Sequence, residues 1–156
     1  MYRILFVCHG NICRSPMAEF VFNDMLKKRG LSGAFAESAA TSTEELGSPV
    51  HRGTAEILRR LGIDFSKKRA RQLSRADGER FDLIVGMDGA NIRNISRILG
   101  EKHSAEVCRL LDLTESPRDV ADPWYTGDFE ATWQDVLAGC QRLLKELTMR
   151  RCGENG

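Results

Sequence analysis

Apolar residues recur along this chain in two rhythms. Ile4-Leu5-Phe6-Val7 is an unbroken apolar run and predicts a strand over residues 2–7. Residues 34–40, rich in Ala, predict a weaker second strand; Phe81-Asp82-Leu83-Ile84-Val85 predicts a third and Val107-Cys108-Arg109-Leu110-Leu111 a fourth. Between them the spacing turns helical. One helix is predicted over 16–29, stopped by Gly30. A second opens at Ser48-Pro49, turns Ala55, Ile57, Leu58 and Leu61 inward and ends at Gly62. A third begins at Asp88, runs through Ile92, Ile95 and Leu99, and stops at Gly100. Phe129, Trp133, Val136, Leu137, Cys140, Leu143, Leu144 and Leu147 recur every three or four residues and mark a long final helix. Residues 112–128 read as a polar loop, and 152–156 as a frayed tail.

Alternating strands and helices imply an α/β fold: a three-layer sandwich, a four-stranded parallel sheet flanked by helices on both faces. At 156 residues one domain, 1–156, is the natural reading, with a core large enough to need no staples. Ligands of such sheets sit at the carboxyl ends of the strands, near a topological switch point. The loop after Val7 and the loop holding Asp122 both leave such ends and share one rim.

Composition narrows the function. A net charge of +1 gives no global field for nucleic acid or a membrane surface. The densest basic cluster, Lys67-Lys68-Arg69-Ala70-Arg71, reads as a solvated loop. The amino terminus lacks the apolar length of a signal peptide or membrane span. Five Cys form no disulfide framework, which points to a reducing, cytoplasmic setting. His9, His51 and His103 are scattered and make no metal-ligand pattern, so chemistry without metal or cofactor is expected.

The candidate chemistry lies in Cys8-His9-Gly10-Asn11-Ile12-Cys13-Arg14-Ser15-Pro16. Chance alone would put an Arg six places after some Cys about half a time in a chain of this composition, so the pair by itself says little. Its context says more. Gly10 and Asn11 are the residues that most readily take positive φ in a loop around an anion. Ser15 is a good N-cap, and Pro16 suits the first helical position. Strand, turn and helix start in that order make an anion nest.

CHGNICRSP together with Asp122-Pro123-Trp124-Tyr125 resembles the low-molecular-weight protein tyrosine phosphatases, over roughly residues 2–150. The resemblance implies metal-free hydrolysis of phosphotyrosine and small aryl phosphates on protein substrates. Cys8 would be the nucleophile, forming a phosphocysteine. Loop amides, the helix start and Arg14 favour the thiolate, and Ser15 can donate to the sulfur. The planar fork of Arg14 would clamp two phosphoryl oxygens, and the amides from His9 through Cys13 to Arg14 would hold the remaining charge. Asp122 would protonate the leaving phenolate and later deprotonate water. Burial against Trp124 and a nearby dianion favour its protonated form. Asn11 would brace the loop, while Ile12, Trp124 and Tyr125 would line the cleft. Relatives carry a basic residue or His near Ala70; here Lys68 and Arg69 are both available.

Competing readings are weaker. Thiol-dependent arsenate reductases share the loop, but their chemistry needs extra cysteines, and Gly86-Met87-Asp88-Gly89-Ala90-Asn91 contains none. Phosphoarginine phosphatases tend to carry Thr where this chain has Ile12. A pure phosphopeptide binder needs neither nucleophile nor acid. The Cys8–Cys13 spacing also allows a transient protective disulfide. Cys108, Cys140 and Trp133 read as core, His51 and His103 as solvated, and Asp88 as a helix cap with a possible supporting role at the pocket.

Overall fold

The amino-terminal apolar run becomes β1 (Tyr2–Cys8), buried from Ile4 to Cys8. A strand covered on both faces has no solvent side, so its apolar residues run continuously. The computed structural model describes the backbone of residues 1–154 and side chains through residue 150; residues 155–156 lie outside the described residues. The other strands are β2 (Ala34–Ala40), β3 (Leu83–Gly86) and β4 (Glu106–Arg109). The helices are α1 (Arg14–Lys28), α2 (Arg52–Arg60), α3 (Asp77–Arg80), α4 (Gly89–Leu99), α5 (Pro123–Thr126) and α6 (Phe129–Glu154), with a 3-10 turn over Leu110–Leu113.

The four strands are parallel in the order β2-β1-β3-β4. The chain moves outward from β1 to β2, then crosses back to β3, which makes a switch point beside β1. Register brings the carboxyl ends together: Cys8 faces Ala40, Val7 faces Gly86, and Gly86 faces Arg109. Alternate residues of β1 feed two cores. Ile4, Phe6 and Cys8 pack toward α1, α2 and α6, while Leu5 and Val7 pack toward Ile95 and Leu99 of α4. The sandwich is therefore three-layered, as the alternation of elements predicts.

Several boundaries differ from the sequence reading. The first helix starts at Arg14, two residues before Pro16. Pro16 is tolerated there because the first N–H groups of a helix have no intrahelical acceptor. Ser15 is not the cap; Cys13 holds that position with no side-chain cap bond. The second helix begins at Arg52, capped by His51 rather than opened by Ser48-Pro49, and Leu61 beyond its end is exposed. β3 omits Phe81 and Asp82. The Asp82 side chain instead accepts from the Arg3 backbone N–H at 2.8 Å. β4 stops before Leu110 and Leu111, which turn inward; a Cβ on Gly139 of α6 would lie 2.3 Å from Leu110 Cγ. That glycine lets the turn press against the helix backbone. The short helix α5 interrupts the stretch read as a polar loop, and α3 is a further short helix before β3. Helix α6 continues to Glu154, into the stretch expected to fray. Among the described residues no helix is long and apolar enough to cross a membrane.

Cys140 is fully buried and its thiol is pushed upward by that burial alone. Cys108 is half-buried; burial and then the Asp112, Glu146 and Glu106 carboxylates push its thiol to about 11. An unfolded thiol ionises near ~8.5. Between that value and about 11 the unfolded state holds fewer protons, so folding stability falls as pH rises through this window and is complete below it. Thermal melts from pH 8 to 11 should show this decline. Replacing both Cys108 and Cys140 with Ala should lessen it, leaving the share of Cys13, whose thiol is also pushed up by burial; an unchanged slope would assign the decline to other groups.

Candidate active site

Cys8 ends β1, and its sulfur points to the start of α1. Its Sγ lies 3.0 Å from Ser15 Oγ and accepts from the Ser15 backbone N–H at 3.4 Å. The loop from His9 to Cys13 closes over it. Among its residues Asn11 alone has positive φ, at 57°. Gly10, expected to share that conformation, does not take it. A Cβ there would meet Glu45 Cγ at an ordinary 3.5 Å.

Asn11 is buried and spends every polar atom on the loop. Its Nδ2 donates to Ser15 Oγ at 2.8 Å and Ser38 Oγ at 2.9 Å, and Oδ1 accepts from the Arg71 N–H at 3.2 Å. An amide has two donor hydrogens, so this set fixes which way it faces. Because Ser15 Oγ accepts from Asn11, its single proton is free for the Cys8 sulfur. Ser38 Oγ donates in turn to Glu19 Oε1 at 2.5 Å, and Glu19 pairs with Lys68 Nζ at 3.2 Å. Of the two basic candidates, Lys68 reaches the network and also donates to the Ser38 carbonyl at 2.9 Å. Arg69 bonds the nearby backbone of Ser66 and Lys68.

Arg14 is 2% exposed and among the largest fully buried side chains. Nη1 donates to Asp88 Oδ2 at 2.7 Å and to the Val120 carbonyl at 2.9 Å; Nη2 approaches Asp122 Oδ2 at 3.4 Å. Burial works against its charge, while the charge on Cys8 and the bond to Asp88 more than compensate, so its pKa rises. Asp88 is both the helix cap and a partner of Arg14. Oδ1 accepts from the Asn91 N–H at 2.7 Å in a capping box on α4, and Oδ2 holds Arg14. Asp122 caps α5, accepting from the Trp124 N–H at 3.0 Å with Pro123 in the first helical position.

Cys8, His9, Gly10, Ile12, Cys13, Arg14, Asp122, Trp124 and Tyr125 line one cavity of about 110 Å³. Asn11 and Ser15 stand behind it. Glu44 and Glu45 also line it, and His9 Nε2 lies 3.0 Å from Glu44 Oε2. Sequence reasoning missed both carboxylates, since they sit in an undistinguished polar turn. It also missed the aromatic wall. His51, read as solvated, stacks on Phe129 with ring centroids 5.1 Å apart and meets Trp124 edge-on at 5.8 Å. Its Nδ1 accepts from the Gly53 N–H at 3.0 Å. A Cβ on Gly53 would lie 2.5 Å from the Phe129 ring, so only glycine admits that ring over the start of α2. Cys13 is held as a neutral thiol: burial first, then the charges on Cys8 and Asp122, push it to about 12. Among the described residues no group of three or more His, Cys, Asp or Glu is placed to hold a metal ion.

A loop between a strand and a helix start, faced across a pocket by an aspartate from the segment after β4, is a layout that suits a small α/β phosphatase. The family follows from the sequence as a whole. Residues 3–152 match the model of the low molecular weight phosphotyrosine protein phosphatases, and the chain belongs to that family as a protein-tyrosine phosphatase. It is 47% identical over 150 residues to the low molecular weight protein-tyrosine-phosphatase YfkJ of Bacillus subtilis (strain 168), covering 94% of this chain and 96% of that one. The crystal structure of YfkJ superposes with a TM-score of 0.92 over 96% of both chains. The low molecular weight protein tyrosine phosphatase SP-PTP of Streptococcus pyogenes is 39% identical, with a TM-score of 0.84 over 94% of this chain and 93% of that one. A drosophila arginine phosphatase, DARP, is 26% identical and superposes with a TM-score of 0.83 over 92% and 96%.

Removing one partner of a buried ion pair strands the other charge, at a cost of about 3–5 kcal/mol. Asp88 is 21% exposed on its side chain, which places Asp88→Ala near the lower end of that range. Arg14→Met in the same background should recover part of the loss, since the buried guanidinium is then gone and only the part-exposed Asp122 loses a partner. Urea unfolding checks both; a double variant less stable than Asp88→Ala would contradict the account.

Proposed function

We propose that this phosphatase hydrolyses phosphotyrosine in proteins, and small aryl phosphates, through a phosphocysteine formed on Cys8 without a metal ion. The observation that carries the reading is the meeting of Cys8, Arg14 and Asp122 on one cavity, although Asp122 lies more than a hundred residues from the other two. The Cys8 thiolate attacks phosphorus as the bond to the aryl oxygen breaks, and Asp122 delivers its proton to the departing phenolate. The carboxylate then takes a proton from water, which attacks phosphorus and breaks the S–P bond. Phosphate leaves and the thiolate returns.

Each residue has a role set by its surroundings. Ser15 donates to the sulfur and supports the thiolate as leaving group in the second step. Arg14 and the amides from His9 to Arg14 form a preorganised positive environment for the equatorial oxygens. The Nη2 donor that approaches Asp122 at 3.4 Å is poorly engaged and turns to a phosphoryl oxygen. Ile12, Trp124 and Tyr125 flank the substrate ring, with Trp124 held by His51. An arginine phosphatase shares this fold, so the architecture does not choose the substrate. Ile12 and the aromatic mouth favour an aryl group.

Aryl phosphate hydrolysis should persist in EDTA and fall to background in Cys8→Ser; activity lost to EDTA would rule out the metal-free route. A phosphotyrosine peptide should be consumed in preference to a phosphoarginine peptide. Asp122→Asn should lower kcat/KM about 100-fold or more with a phenol of high pKa and far less with p-nitrophenol. Equal losses would remove Asp122 as the proton donor.

A further inference from the structure

The segment that brings Asp122 to the cavity has little structure of its own. After the 3-10 turn ends at Leu113, residues 114–122 contain no strand or helix, and Thr114 through Asp119 are half-buried or exposed. Such a segment has many conformations unless it is tied down. One tie is Arg118, whose Nη2 donates to Asp135 of α6 at 2.8 Å; the tie nearest the cavity comes from the end of β4. Arg109 spreads its guanidinium between two carboxylates. Nε and Nη2 donate to Asp112 Oδ1 at 3.0 and 2.7 Å, while Nη1 donates to Asp119 Oδ1 at 2.8 Å. Asp112 Oδ2 also accepts from the Arg109 backbone N–H at 3.0 Å.

Asp119 is the hinge of this arrangement. Its Oδ1 accepts a second bond, from the Gly89 N–H at 3.0 Å, in the first turn of α4 and next to Asp88. The following residue, Val120, is buried. Its N–H donates to the Met87 carbonyl at 2.8 Å, and its own carbonyl accepts from Arg14 Nη1 at 2.9 Å. Asp122 is two residues further. From Arg109 the chain of contacts thus runs through Asp119 to the backbone that meets Arg14 and carries Asp122. The sheet register supplies the anchor, because Arg109 lies opposite Gly86, two residues before Asp88.

We propose that Arg109 is a positioning residue for the acid-bearing segment, holding Asp119 so that Asp122 and the Val120 carbonyl keep their places around Arg14. The inference rests on the proton-donor reading of Asp122 given above. Stability alone would be a weak reason for the clamp, since exposed ion pairs contribute little. A lysine has no planar fork to bridge two carboxylates at this spacing. The bonds from Arg109 also hold the Asp112 carboxylate below its ordinary range.

Arg109→Gln, Arg109→Lys and Asp119→Asn test this through kcat/KM for phenyl phosphate and p-nitrophenyl phosphate. Asp119→Asn keeps an acceptor for Gly89 and removes the charge that Arg109 holds. Misplacing a catalytic group by about 1 Å can cost ~100-fold. For Arg109→Gln a loss of about tenfold is expected with the poor leaving group and under about twofold with p-nitrophenol. Asp119→Asn should follow in the same direction, and Arg109→Lys should recover part of the loss. In an Asp122→Asn background, Arg109→Gln should add no loss that depends on the leaving group. Equal losses for both substrates, no loss, or a leaving-group effect that persists without Asp122 would overturn the proposal. If Asp122→Asn alone shows no leaving-group dependence, the acid reading fails and the clamp falls with it. If Asp122→Asn behaves as an acid variant and neither Arg109→Gln nor Asp119→Asn does, the clamp alone fails.

Discussion

A buried guanidinium organises this molecule. Taking a cation out of water costs several kcal/mol unless ionic and hydrogen-bond partners replace its hydration. At 2% exposure, Arg14 has almost no solvent left to help. Its partners come from three places in the chain: the cap of α4, the carbonyl of Val120 and the cap of α5. The demand of one charge therefore fixes how the loop after β1, the start of α4 and the segment after β4 meet. Parallel strands make the meeting possible, since all four carboxyl ends open on one rim.

The loop between Cys8 and Arg14 needs a second constraint. A non-glycine residue at positive φ is disfavoured by about 1–2 kcal/mol, and Asn tolerates it best. Asn11 offsets this through three side-chain hydrogen bonds, each to a different segment. One of them ends at Ser15, whose proton is thereby left for the Cys8 sulfur. The same amide that stabilises the backbone thus sets the hydrogen bond to the thiol. Behind it, Ser38, Glu19 and Lys68 form a chain in which each side chain has a polar partner.

Much of this was legible in the sequence, for physical reasons. β1 was clear because a strand buried on both faces is apolar throughout, and α6 because its stripe repeats over many turns. The loop after β1 stands out because its parts are contiguous. Helix starts were misread where side chains had other work: Ser15 turns to the sulfur instead of capping, and His51 caps where Ser48-Pro49 offered the stronger signal. β4 was overextended because Leu110 and Leu111 are apolar for packing under α6, not for pairing. Asp88 shows its capping role directly and its supporting role at the pocket only as an alternative, since its partner Arg14 is 74 residues away. Glu44, His51 and Arg109 carried no local signal. Only the sheet register and the loops it aligns bring them to the rim.

Arg14 faces two carboxylates, and a phosphoryl dianion has to compete with them. They are not equal competitors. Asp88 holds Nη1 at 2.7 Å, and its other oxygen is locked in the capping box of α4, so releasing Arg14 would also disturb a helix end. Asp122 approaches Nη2 at 3.4 Å, beyond the usual range of a charge-assisted bond. Its other oxygen caps only the single turn of α5. The weaker contact is the one that yields. In the mechanism proposed for this chain, the residue displaced from the guanidinium is then the residue that turns to the leaving group. Asp88 stays behind to keep the fork aimed, and substrate binding itself frees the acid.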